Sequence, residues 1–151
     1  MAAQAASELI FFIGSVVVSA ALVGVFFASV SQISDSINTN AGTAAAEFES
    51  SVAILNDPAH VAYNNTSQVF TLWVKNTGTR PLSLNTTVVF IDNRSFANNS
   101  YTATFVGNFT LWAPQVTVQF DLAGVNLTAG RDHFMKVIAQ FGASDAQEFY
   151  Y

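Results

Sequence analysis

Apolar residues form one unbroken block near the N-terminus and short alternating runs in the rest of the chain. The 26 residues from Leu9 to Ser34 carry no charge, and Glu8 and Asp35 bound them. As a helix, at about 1.5 Å per residue, this block would span about 39 Å, more than the roughly 30 Å hydrocarbon layer of a bilayer. We therefore predict a transmembrane helix.

Three other interpretations of the block compete with this prediction. A cleaved signal peptide has a basic region and an apolar stretch of about 7–15 residues, whereas no Lys or Arg precedes Lys75 and the stretch here is longer. A helix buried in a soluble core rarely needs so long an apolar run. In a further variant, the helix leaves the bilayer and packs in the core of a pilus-like filament.

Beyond the block the apolar spacing changes twice, and each change predicts a different element. From Ile33 to Val52 apolar residues recur at three or four positions, which predicts a helical stalk with a weak point near Gly42. From Ser51 the period becomes two, with β-branched and aromatic residues between turn residues. Strands are predicted at 51–56, 60–63, 68–75, 84–92, 101–106, 109–112, 115–122, 132–141 and 147–151.

These elements predict a mainly β fold with an N-terminal transmembrane α-helix followed by an antiparallel immunoglobulin-like β-sandwich. The expected organisation is a membrane helix over 1–34, a stalk over 35–50 and an extracytoplasmic sandwich over 51–151. Alternation in the two clearest strands predicts one core face and leaves Trp73 on the outer face. The residues expected in the core are Phe70, Leu72, Val74, Val116, Val118 and Phe120.

Charge and composition exclude several kinds of site. Only 10% of the residues are charged and the net charge is −5, which disfavours a nucleic-acid partner because such a partner needs a basic face. The chain has no cysteine, so disulfides, thiolate zinc sites and thiol nucleophiles are excluded.

No pattern in the sequence predicts catalysis or ligand binding. His60 and His133 are the only histidines and have no metal-ligand spacing. Neither GxSxG, GxxxxGK[ST] nor GxGxxG occurs. We therefore expect no enzyme activity, no cofactor, no metal and no small-molecule substrate. An extracytoplasmic ligand-binding module is also disfavoured, since no loop concentrates polar or aromatic residues.

Seven Asn-x-Ser/Thr sequons lie in the predicted sandwich, whereas about two are expected in the whole chain from its content of Asn, Ser and Thr. Such sequons are acceptors for N-glycosylation in extracytoplasmic loops. We predict a glycosylated domain outside the membrane and an N-terminus inside. The candidate sites are Asn64, Asn65, Asn85, Asn93, Asn98, Asn108 and Asn126.

Two rows of small residues predict helix–helix contact, because small side chains at four-residue spacing let backbones approach closely. The rows are Ser15 with Ser19, and Ala20 with Gly24 and Ala28. Glu8 is the only charge near the start of the helix. It either lies in the headgroup region or pairs with the α-amino group of a neighbouring copy.

Four blocks of sequence resemble the FlaG (also ArlG) members of the FlaG/FlaF family of archaellum stator proteins. They are the apolar segment AASELIFFIGSVVVSAALVGVFFASVSQISDSI, the stretch Leu55–Leu84 with its VKNTG turn, WAPQVTVQFDL from Trp112, and the closing AGRDHFMKVIAQFGASDAQEFYY. The similarity is weakest over 84–111, where Asp92-Asn93-Arg94-Ser95 replaces a typical Asp-Gly turn.

The resemblance implies a single-pass protein of the archaeal swimming motor, with its sandwich between the cell membrane and the S-layer. Its implied partners are further copies of itself, a FlaF-like stator protein, membrane lipid, and the S-layer directly or through that stator protein. The alternative is an archaellin or archaeal type IV pilin-like filament subunit, in which the helix lines the filament core. A precursor of that class is expected to have a basic residue before its cleavage point, and none precedes Glu8; we therefore expect the stator role.

Overall fold

A computed structural model describes residues 2–151, with side chains described from Gln4 onward. The chain divides into two units, one ending at Gly42 and one spanning residues 43–151. One α-helix, α1 (Ala2–Glu49), starts in the first unit and ends in the second. It continues through Gly42 without interruption, so the predicted stalk belongs to the same helix.

Every side chain from Gln4 to Thr43 is exposed. Within the described residues, Gln4–Glu49 is the helix long and apolar enough to cross a membrane, with a most apolar window of mean hydropathy 2.6. The last turns belong to the second unit, where Ala46 and Ser50 are buried. The helix therefore changes from an exposed apolar rod to a packed element near its C-terminal end.

The second unit contains two antiparallel sheets, as predicted for a sandwich. One sheet has the order β1-β3-β7-β6, with β2 also paired to β3, and the other has the order β5-β4-β8-β9. The strands are β1 (Val52–Ile54), β2 (Ala62–Asn64), β3 (Val69–Asn76), β4 (Val88–Ile91), β5 (Arg94–Phe96), β6 (Tyr101–Phe105), β7 (Thr117–Ala123), β8 (Asp132–Ile138) and β9 (Ser144–Tyr150).

The core lies on one face of the long pair β3 and β7, where apolar residues oppose one another in register. Leu72 faces Phe120 and Val74 faces Val118. All six residues predicted to be core are buried, and Trp73 is only partly buried. The alternation in these strands therefore identified the buried face correctly, because a period of two places alternate side chains on opposite faces.

One predicted strand is a loop in the structure, and one strand of the structure was not predicted. Residues 109–112 form a loop with one isolated bridge at Trp112, and Phe109 and Leu111 are about half exposed. β5 was not predicted; a two-residue turn, Asp92-Asn93, folds it back on β4. The long predicted strands 84–92 and 132–141 also include short 3₁₀ turns, at Leu84–Thr86 and Gln140–Gly142.

Candidate anchoring and assembly surfaces

The exposed apolar surface of α1 is the first candidate surface. Phe11 is 79% exposed and Phe26 65% exposed, and contiguous apolar surface of this kind marks contact with a membrane or another protein. The Ser15 hydroxyl donates to the Phe12 carbonyl at 2.8 Å, so its polar group has a partner within the helix. Apart from its chain neighbours and the nearby backbone of its own helix, no atom of the described residues lies within 4 Å of a Cβ added at Gly24.

The predicted packing residues and Glu8 all lie on this exposed helix. Their contact with a second helix, or with a neighbouring α-amino group, remains a prediction. The side chains of the first three residues lie outside the described set.

The second candidate is the connection between the end of α1 and the sandwich, which we call the junction. In the junction, the loop 76–80 contacts both Glu49 and Ser51. The Glu49 carbonyl accepts the Thr79 amide at 2.8 Å, and two successive loop amides donate to the Ser51 carbonyl at 3.0 and 3.1 Å. A carbonyl at a helix C-terminus otherwise lacks a partner. The loop thus caps α1 and fixes its end to β3.

An ion pair and two hydroxyl contacts add to the junction. Arg80 Nη1 lies 3.5 Å from Glu49 Oε2, with both side chains about half exposed. The Thr77 hydroxyl donates to Ser51 Oγ at 3.0 Å, and the Thr79 hydroxyl reaches the Glu49 carbonyl at 3.5 Å. Exposed pairs of this kind contribute little energy, so the main-chain hydrogen bonds are the stronger part of the junction.

Asn76 holds the junction loop in shape. Its side chain is fully buried. Nδ2 donates to the Arg80 carbonyl at 2.7 Å and the Trp112 carbonyl at 3.0 Å, while Oδ1 accepts the Gly78 amide at 3.0 Å. All three bonds join the loop to itself or to the segment before β7. Without this side chain the Arg80 carbonyl would lose its partner, whereas the Gly78 amide would keep the Ser51 carbonyl and the Trp112 carbonyl would keep the Leu82 amide.

Gly78 is required at the junction by close approach of the backbone. A Cβ at this position would overlap the Glu49 carbonyl oxygen and lie 2.7 Å from the Ser51 amide nitrogen. Both are backbone atoms and cannot move aside as a flexible side chain could. The VKNTG segment carries part of the family resemblance, but nothing in its spacing predicts that it caps a helix.

A second hydrogen-bond network lies on the side of β3 that faces β1 and β2. β1 pairs with the end of β3 and β2 with its start. Between them Asn56, which is buried, accepts the Trp73 amide through Oδ1 at 2.8 Å and donates from Nδ2 to the Thr71 carbonyl at 2.8 Å. The side-chain amide therefore replaces one step of the main-chain ladder.

His133 sits at the opposite end of the sandwich with acceptors on both ring nitrogens. Nδ1 lies 2.8 Å from Asp92 Oδ2 and Nε2 lies 3.0 Å from the Thr128 carbonyl. Burial opposes the charged ring and Arg131 repels it, but the ring's hydrogen bonds to the Thr128 carbonyl and the Asp92 carboxylate, together with the Asp92 charge, raise the pKa of His133 above its ordinary value. The arrangement suits an imidazolium, which donates from both nitrogens.

The other carboxylates near turns also hold the fold together. Asp57 accepts the Ala59 amide at 2.9 Å, and Asp121 accepts the Thr71 hydroxyl at 2.7 Å. Asp145 accepts the Ile54 amide at 2.7 Å. Within residues 2–151, no group of three or more His, Cys, Asp or Glu side chains could hold a metal ion.

All seven sequon asparagines are exposed. Asn93 occupies the turn between β4 and β5, Asn98 precedes β6 and Asn108 follows it. Asn64 ends β2, and its Oδ1 accepts the Thr66 amide at 3.0 Å. The positions are thus open to a modifying enzyme, and their glycosylation remains a prediction.

Comparisons with known proteins all relate the chain to proteins of the archaeal flagellum. The model of the archaeal-type flagellin family matches residues 2–149. The putative flagella-related protein G of Methanocaldococcus jannaschii is 26% identical over 157 aligned positions, covering 95% of this chain and 93% of that protein. Its namesake from Methanococcus voltae is 28% identical over 91 residues, covering 60% of each.

A solved structure extends the likeness to the fold. A chain from the archaeal flagellum of Methanospirillum hungatei strain JF1 superposes with a TM-score of 0.68 at 15% identity, covering 95% of this chain and 91% of that one. At this identity, the similarity concerns the fold alone.

Proposed function

The chain belongs to the archaeal-type flagellin family and is an archaellum-associated component, and on that premise we propose that it is a structural stator component of the archaeal swimming motor. Its role is mechanical: it anchors the stationary part of the motor to the cell envelope. The relatives named putative flagella-related protein G support a flagellum-associated role for this chain.

The junction is the observation that carries the proposal. An anchor must transmit force between its membrane segment and its envelope domain, and a flexible linker would absorb torque. Here the loop 76–80 caps the end of α1 through hydrogen bonds of 2.8–3.1 Å from its main-chain amides to the Glu49 and Ser51 carbonyls. Several bonds must break together before the helix end separates from the sandwich.

The proposed location follows from the same elements. The apolar part of α1 spans the cell membrane with its N-terminus inside, and the sandwich lies in the archaeal pseudo-periplasm. The rows of small residues on α1 pack against other copies of the chain. The sandwich contacts a FlaF-like stator protein and, directly or through it, the S-layer. Glycans on the exposed sequons keep this charge-poor domain soluble.

Deleting the gene tests the proposal. We expect cells that still assemble filaments, visible by electron microscopy, but spread poorly in soft agar. A plasmid copy of the wild-type gene restores spreading. Normal spreading by the deletion strain would contradict the proposal.

A filament subunit is the second candidate function, because the fold similarity to the Methanospirillum flagellum covers 95% of this chain. In that role the apolar surface of α1 would be buried against neighbouring helices and Glu8 would neutralise a neighbouring N-terminus. Mass spectrometry of purified filaments separates the candidates. A major subunit would dominate the sample with a processed N-terminus, whereas a stator component is expected to be a trace component or absent.

A further inference from the structure

The sandwich protects the edge strands on one of its sides. The amides of Ile54 in β1 and Ala146 in β9 both donate to the Asp145 carboxylate, at 2.7 and 2.9 Å. The Tyr150 amide of β9 donates to the Pro58 carbonyl at 3.3 Å. Edge amides with such partners are not available to another strand.

The edge at β6 has no comparable protection. The Val106 amide donates to the Thr117 carbonyl at 2.9 Å, and this register pairs the main-chain groups of Thr102 and Thr104 with β7. Those of Tyr101, Ala103 and Phe105 point away from β7. Among residues 2–151, no hydrogen bond engages these outward amides and carbonyls.

We propose that β6 pairs antiparallel with β6 of a second copy of this chain, joining two five-stranded sheets across a two-fold axis. This inference rests on the proposed function, in which copies of the chain assemble with one another, and it identifies β6 as a surface through which they do so. With Ala103 opposite the partner's Ala103, the three outward residues would form a ladder of about six main-chain hydrogen bonds. An isologous contact of this kind closes into a dimer.

The side chains of β6 are complementary to themselves in this register. Tyr101 falls opposite the partner's Phe105 on the inner face, and Thr102 falls opposite the partner's Thr104 on the outer face. Aromatic pairs and Thr–Thr pairs are among the favourable cross-strand pairs. The small Ala103 side chain at the centre leaves room for the close approach of two strands.

Charge favours this edge over β9 and β5. Residues 95–120 contain no charged side chain although the chain carries a net charge of −5. Two copies can therefore meet at β6 without like-charge repulsion, whereas β9 carries Asp145 and Glu148. β5 is only three residues long and carries Arg94, whose guanidinium donates to the Gly124 carbonyl.

Exposed apolar residues next to β6 support the same partner. Val106, Phe109 and Leu111 are 49–55% exposed. Of these, Val106 directly follows β6 and, in this register, would fall opposite Ser100 of the second copy. The contact would cover apolar surface that otherwise faces water.

Cysteine cross-linking of the full chain in detergent micelles tests the pairing directly. The chain has no cysteine of its own, and a hydrogen-bonded antiparallel pair has a Cα separation of about 5.5 Å, within the range of a disulfide. We expect Ala103→Cys to give a covalent dimer under mild oxidation and Ala146→Cys, on the protected edge β9, to remain monomeric. A monomeric Ala103→Cys, or equal cross-linking of the two, would overturn the proposal.

Introducing charged residues at the exposed positions 102 and 104 provides a second test. Thr102→Lys/Thr104→Lys places lysines opposite each other in both outer pairs, and we expect self-association to weaken about tenfold or more. Mixing with Thr102→Glu/Thr104→Glu restores dimers. The control Ser144→Lys/Ala146→Lys keeps wild-type association. Unchanged association of the first lysine variant would refute the proposal.

Both tests use a host without N-glycosylation, because Asn98 and Asn108 flank β6. They also remain separate from the proposed function. Cross-linking at Ala103 reports the pairing even if the deletion strain swims normally, and a stator role can hold even if β6 does not pair.

Discussion

Removing the Asn76 side chain provides the sharpest test of the junction. Asn76→Ala deletes three hydrogen bonds from a fully buried position. At about 1 kcal/mol for each bond the loss is about 3 kcal/mol, although the Gly78 amide keeps its bond to the Ser51 carbonyl and the Trp112 carbonyl keeps its bond from the Leu82 amide. Domains are stable by only about 5–15 kcal/mol, so this is a large fraction.

Thermal unfolding of the full chain in detergent, followed by the β signal in circular dichroism, measures this loss. For a sandwich of this size we expect Tm to fall by about 12–24 °C, since about 1 kcal/mol corresponds to 4–8 °C. The control Asn65→Ala changes an exposed turn residue and should shift Tm by little. A fall of less than about 4 °C for Asn76→Ala would refute the role assigned to Asn76.

The remaining predictions concern close approach, protonation and the β3 edge. Gly78→Ala should destabilise the sandwich by about 1–3 kcal/mol in urea unfolding because the new Cβ meets backbone, whereas Gly42→Ala, which has open space in a helix, should not destabilise it. The pKa of His133 is raised in the folded state. The stabilisation that protonated His133 gives to the fold is therefore complete below about pH 6.5 and is lost as the pH rises through the folded pKa. Tm should fall from pH 6 to 8.5 in the wild type, and the part of this fall that is due to His133 should vanish in His133→Gln. Asn56→Ala leaves the Trp73 amide unpaired and should cost about 1–3 kcal/mol, measured by chemical unfolding, while an unchanged midpoint would contradict the proposed replacement of the ladder.

Local patterning accounts for the correct part of the sequence prediction. Val118 and Phe120 alternate with polar residues, and Leu72 and Val74 lie on the face opposite Thr71 and Trp73, so period two alone placed them in the core. The uncharged run from residue 9 likewise identified α1 by its length. Both signals depend only on neighbours in sequence.

The errors arose where turn conformations, rather than the alternation of side chains, decide the structure. Residues 109–112 have strand-forming side chains, but Gly107 has a φ of +105° and turns the chain away from β6. The buried Trp112 indole then donates to the Val116 carbonyl at 3.1 Å, which holds the segment as a loop. β5 formed because Asp92, at φ +51°, allows a tight hairpin.

The candidate surfaces were less predictable than the fold. The sequence located the sequons and the rows of small residues, since these depend on spacing alone. It could not show that the loop around Gly78 meets the end of α1, because that contact joins residues about 30 positions apart. Nor could it identify β6 as an unprotected edge, which depends on strand order.

Rotation of cells tethered to glass by their filaments tests the stator role most directly. If the chain anchors the motor, parent cells rotate steadily, whereas cells lacking the chain keep their filaments but lose torque and rotate weakly or not at all. Expression of the wild-type chain restores rotation. Unchanged torque in the deletion strain, or the absence of filaments from it, would contradict the stator role.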